Sequence, residues 1–141
     1  MGKKVLKLDL KVPNQTRYLE LVGRIGEDLA RELKKEGEEK KTLAQHLNVV
    51  LTEAMANAIR HAHEDDPDKT VHIVISLSDE ELMIRVYDHG PGFDFDSACA
   101  HEPEKLEEHG RGIYIIRSLM DTVVYRRTRD YNVLEMWKKL R

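Results

Sequence analysis

Apolar residues recur along this chain with two distinct periods. From Val5 to Val12, Leu6, Leu8, Leu10 and Val12 alternate with Lys7, Asp9 and Lys11, the pattern of a half-buried strand. Pro13 is expected to stop that strand and Asn14 to cap a helix, in which Tyr18, Leu21, Val22, Ile25, Leu29 and Leu33 return at helical spacing as far as about Lys35. Lys34 to Lys41 has nothing apolar to bury and reads as a connection. A second helix is expected from Thr42, with Leu47, Val50, Leu51, Ala54 and Ala58 as its apolar stripe. His63 to Lys69, rich in Asp and holding Pro67, reads as an acidic turn-forming loop. Val71, Ile73, Ile75 and Leu77, then Leu82, Ile84 and Val86 after the Ser78 to Glu81 turn, predict an antiparallel hairpin. From Phe93 to His109 the periodicity fades, and a stretch of that length reads as a lid or a disordered segment. Ile113, Ile116, Leu119 and Met120 predict a third helix, and Thr122 to Arg127 with Val133 to Leu140 a second hairpin around Arg129 to Asn132.

Strand, two helices, hairpin, long loop, helix and hairpin add up to an α+β chain. The economical architecture is a two-layer α/β sandwich, a mixed and mostly antiparallel sheet with its helices on one face. The 141 residues suit one domain spanning 1–141, and 40% hydrophobic with 35% charged residues is a globular balance outside the disordered class. The 23 basic and 26 acidic side chains leave a net charge of -3, so no overall field recruits nucleic acid or an anionic membrane. The basic residues from Arg126 to Arg141 read as solvated surface rather than a nucleic-acid site. A lone cysteine, Cys99, allows no internal disulfide, and neither a signal-peptide core nor a run of membrane length occurs, so the expected compartment is the cytoplasm.

Three places carry candidate chemistry. On the second helix Glu53, Asn57 and His61 stand four residues apart on one face. Glu can accept a proton, and the Asn oxygen is a hard donor suited to magnesium. The same row also fits a solvated helix face with a local Glu–Asn hydrogen bond. Asp88 ends a strand and is followed by Gly90 and Gly92; the carboxylate can accept from an exocyclic amine while the glycines let backbone approach a ligand. An ordinary strand-to-loop turn has the same composition. Gly110, Arg111 and Gly112 open the third helix and offer amide donors at its positive end, a seat for phosphates. This is neither a P-loop nor a dinucleotide fingerprint, since the further residues of those motifs are absent.

In the order Glu-x-x-x-Asn, Asp-x-Gly-x-Gly, Gly-x-Gly, with a lid-length gap before the last, the three motifs resemble the ATPase superfamily of gyrase, heat-shock chaperones, sensor histidine kinases and MutL. Within it the chain is most similar to the small stand-alone anti-sigma-factor serine/threonine kinases of bacteria. The resemblance rests on Leu51-Thr52-Glu53-Ala54 with Asn57 and His61, on Asp88 to Phe93, and on Gly110 to Ile113 with Ile116 to Asp121. It implies a histidine-kinase-like ATPase fold using ATP and Mg2+, with Glu53 as catalytic base and Asn57 as metal ligand. It further implies that Asp88 contacts adenine, that Gly90 and Gly92 shape the base pocket, and that Gly110, Arg111 and Gly112 cradle phosphates. Many relatives outside the small kinases carry a further glycine where Tyr114 stands here. The implied partners are a sigma factor and an anti-anti-sigma factor, and the implied assembly is a homodimer. A nucleotide-dependent switch that sequesters its partner without phosphotransfer, and a detached histidine-kinase catalytic module, are the alternatives. His61 and His63 with Asp65 and Asp66 read as a polar helix end before a metal cluster, and Cys99 with His101 as incidental.

Overall fold

The alternating segments pair into one sheet, and the segments of helical period cover one of its faces. In the computed structural model, which describes residues 5–33, 37–61, 66–89 and 111–140, β1 (Leu6–Asn14) leads through a single 3-10 turn (Thr16–Tyr18) into α1 (Leu19–Arg31) and α2 (Gly37–His61). The chain continues with β2 (Asp66–Leu77), β3 (Glu81–Asp88), α3 (Arg111–Leu119), β4 (Thr122–Arg127) and β5 (Asn132–Lys139). The sheet order is β1-β2-β3-β5-β4, and the described pairings are all antiparallel. The architecture is the two-layer α/β sandwich read from the pattern.

Register decides which side chains enter the core. Leu8, Ile75, Ile84, Met136 and Val123 stand opposite one another in a row across all five strands, and Leu10, Ile73, Val86, Leu134 and Tyr125 form the next row. Both rows belong to one cluster with Leu47, Leu51, Met55 and Ile59 of α2 and Ile116 of α3. Since strand side chains alternate between faces, the other face carries Lys7, Asp9, Lys11, Arg85, Glu135 and Trp137. Glu135 is buried there, held by Arg85 at 3.1 Å and by Arg126, pairings that offset the cost of taking a carboxylate out of water. The two helices of the long N-terminal layer approach closely. A Cβ at Gly26 of α1 would stand 2.8 Å from the Leu47 carbonyl oxygen of α2, so only glycine fits that crossing.

Several boundaries differ from the sequence pattern, each for a tertiary reason. β1 continues through Pro13 to Asn14 rather than stopping, which an edge strand tolerates because its outer N–H groups need no sheet partner. Asn14 is therefore a buried strand residue and not a helix cap; Gln15 precedes the 3-10 turn and Tyr18 precedes α1, neither with a side-chain capping bond. β2 begins at Asp66, inside the segment read as a loop, because Asn14 pairs with Asp66 across a register shift. α1 ends at Arg31, short of Lys35. α2 starts at Gly37, before Thr42, although its first turns bury little. Glu38 and Glu39 complement the positive end of the helix, and the Lys40 ammonium donates to the Arg31 carbonyl at the end of α1 over 3.1 Å. These polar contacts accompany the first turn of α2, over residues 37–41 that the sequence pattern reads as part of a connection. The 93–109 segment, with Cys99 and His101, lies outside the described residues, as do His63 and Asp65.

The amino-terminal end of α2 carries one group shifted in its titration. His46 lines a cavity with Glu38, Glu39, Lys138 and Lys139, and burial first, then the Lys138 charge, lowers its pKa. A histidine depressed in the folded state binds its proton more readily once unfolded. Its contribution is therefore whole above the unfolded value of about 6.5 and is lost as the pH falls from there through the folded value. Urea unfolding at pH 7.5 and 5.5 should show a loss of stability in acid that is smaller in His46→Gln; an equal loss in both proteins would place the acid sensitivity elsewhere.

Candidate nucleotide site

α2 is the element on which the site is built. Leu47, Val50, Leu51, Ala54, Met55, Ala58 and Ile59 are buried along it, and it packs against α1, α3 and β3. With its core stripe so fixed, Glu53 and Asn57 fall one turn apart on the flank between stripe and solvent. Glu53 is half-buried and Asn57 is buried at 4% exposure, so the row is not the wholly solvated helix face that the sequence left open. Glu53 reaches the first turn of α3, for its Oε2 stands 2.8 Å from the place a Cβ would take on Gly112.

Asp88 owes its position to strand parity. It continues the inward series Leu82, Ile84 and Val86 of β3 and ends it as a carboxylate of 3% exposure beneath the helix layer. Across the sheet, Asp88 stands opposite Asn132 at the start of β5, whose Nδ2 donates to Asp88 Oδ1 over 3.0 Å. Asn132 is itself buried at 4% exposure. A carboxylate can accept from more than one donor, and this amide helps to fix the orientation of the group. Just beyond, His89 Nδ1 lies 2.9 Å from the Asp130 carbonyl oxygen, which ties the end of β3 to the β4–β5 turn.

Asn132 is the site residue that the sequence pattern missed. The β3–β5 pairing spans the long irregular stretch and α3, so nothing local in the sequence announces that residues 88 and 132 face each other. Of the other residues singled out, Gly90, Gly92 and Gly110 lie outside the described residues, and Arg111 opens α3. The structure thus brings Glu53, Asn57 and Gly112 onto two packed helices, with Asp88 at the end of the strand on which α2 rests.

This donor set fits magnesium-bound ATP. Asn57, one turn from Glu53 on α2, carries an oxygen of the hard type that magnesium takes, and the Glu53 carboxylate stands against the bare side of Gly112 at the start of α3. Among the described residues no group of three or more His, Cys, Asp or Glu could hold a metal ion by itself. Magnesium commonly binds through one or two protein oxygens together with phosphates and water. No helix among the described residues is long and apolar enough to cross a membrane.

Known proteins resemble this chain over most of its length. The chain is 28% identical over 124 residues to the serine-protein kinase RsbW of Bacillus subtilis strain 168, which covers 82% of this chain and 75% of that protein. It is 26% identical over 131 residues to the serine-protein kinase RsbW of Bacillus velezensis, covering 87% of this chain and 79% of that one. Residues 12–138 match the family described as histidine kinase-like ATPase domain. With that match running from the end of β1 to the end of β5, the chain belongs to the histidine kinase-like ATPase domain family.

Proposed function

We propose that this protein is an ATP-dependent serine/threonine protein kinase that acts as an anti-sigma factor. It would phosphorylate an anti-anti-sigma partner and sequester a sigma factor, as a cytoplasmic homodimer. The observation that carries the reading is the meeting of Glu53 with the first turn of α3 at Gly112, which sets a carboxylate base beside helix amides suited to phosphates. Its likeness to serine-protein kinases named RsbW supports transfer to a hydroxyl over simple nucleotide binding.

In this reading each residue has a separate task. Asp88, oriented by Asn132, accepts from the adenine amine. Asn57 would hold the metal through its carboxamide oxygen. Magnesium, when bound with ATP, neutralises phosphate charge. Backbone amides at the start of α3 face the phosphates, and Glu53 takes the proton of the incoming hydroxyl.

The direct test is label transfer from ATP to a small partner bearing one serine or threonine acceptor. Label on that residue is the expected result; ATP binding with no transfer would replace the kinase reading with a partner switch. Asn57→Ala should weaken ATP binding by roughly 10- to 100-fold in the presence of magnesium, the scale of one charge-assisted contact, and turnover should fall with it. Titrations with magnesium and with a chelator check this, since a loss of equal size in both would remove Asn57 from the metal.

A further inference from the structure

Gly112 is an unfavourable second residue for α3, because glycine is among the poorest helix formers. Its neighbourhood explains what the missing side chain permits. Ile113 and Ile116, both buried in the common core, fix α3 against the layer that holds α2. A Cβ built on Gly112 meets Glu53 Oε2 at 2.8 Å, while the next nearest atoms, Glu53 Cβ and Cδ, stand at an ordinary 3.8 Å. Among the described residues outside its own helix, an added methyl therefore conflicts with one carboxylate oxygen, the mobile end of a side chain.

We propose that Gly112 is a positioning residue for Glu53: its bare Cα is the seat that fixes where the base carboxylate stands. The proposal rests on the base reading of Glu53 and adds a role separate from any contact of Gly112 with phosphate. A methyl at 112 pushes the carboxylate off its seat, and a misplacement on the order of 1 Å at a reacting group costs about 10²-fold in rate. A glycine kept only so that phosphates can approach the backbone predicts something else. There, Gly112→Ala would weaken ATP binding and leave transfer at saturating ATP unchanged.

The experiment is a double-mutant cycle with Gly112→Ala, Glu53→Ala and the pair, read by thermal unfolding, by ATP titration and by single-turnover transfer at saturating ATP. The expected result is a Gly112→Ala protein that melts no lower than the unmutated one, binds ATP as before and transfers about 10²-fold more slowly. In the Glu53→Ala background the same methyl should slow transfer no further, since the group it displaces is gone. Loss confined to ATP affinity, or a slowing that persists undiminished in Glu53→Ala, overturns the proposal and leaves the base reading standing. A Glu53→Ala protein that transfers at the unmutated rate overturns the base reading and this proposal with it.

Discussion

Glu53→Ala should leave ATP affinity nearly unchanged and slow phosphate transfer by about 10²- to 10⁴-fold, the usual contribution of a positioned general base. The separation follows from where the side chain stands. Glu53 is half-buried and leans on the start of α3, so in the proposed kinase it would border the phosphates without being needed to neutralise them. Removing a carboxylate from beside phosphate oxygens relieves repulsion, which acts against any loss of affinity. Folding should tolerate the change because the core of α2 rests on Leu47, Leu51, Met55 and Ile59. The proposed sequestration of a sigma factor should survive, as it needs no proton transfer. The check pairs calorimetric ATP binding with single-turnover transfer, and an unmutated rate in Glu53→Ala would end the base assignment.

Asp88→Asn should cost roughly 1.5 to 3 kcal/mol of ATP binding, the range for a hydrogen bond to a charged group, with the fold retained. The substitution keeps the volume of the side chain and one oxygen able to accept from Asn132 Nδ2, now 3.0 Å from Asp88 Oδ1. It turns the second oxygen into a donor, which in the proposed site would face the donor amine of adenine. Calorimetry on a variant with unchanged melting decides it, and full affinity in that variant would take Asp88 out of the nucleotide pocket.

Much of this fold can be read in one dimension because the apolar periods are clean. Val71 to Leu77 and Leu82 to Val86 alternate strictly and pair as the hairpin they predict, and the stripe from Leu47 to Ala58 is the buried stripe of α2. What could not be read depends on neighbours distant in sequence. β5 lies between β3 and β4, and that placement alone turns Asn132, a turn residue by its composition, into the partner of Asp88. The first turns of α2 were hidden for a similar reason, since Lys40 is fastened to the end of α1 rather than to any apolar surface. Glu53 and Asn57 were visible as a row on one helix, but the approach of Gly112 to Glu53 was not. Periodicity describes one element at a time and carries no information about which helix end meets which side chain.

The late arrival of β5 also bears on how the protein is made. During synthesis β1, β2 and β3 leave the ribosome well before β5, yet β5 fills the place beside β3. Until then the β3 edge is an open template for strand addition, and the nascent chain must wait on a non-local pairing of the kind that forms slowly. Asp88 waits as well, because the amide that holds it belongs to Asn132. A stalled or truncated chain ending before β5 would thus expose a sticky strand and lack the Asn132 anchor of Asp88, so the seating of that carboxylate and protection from aggregation are acquired in the same step.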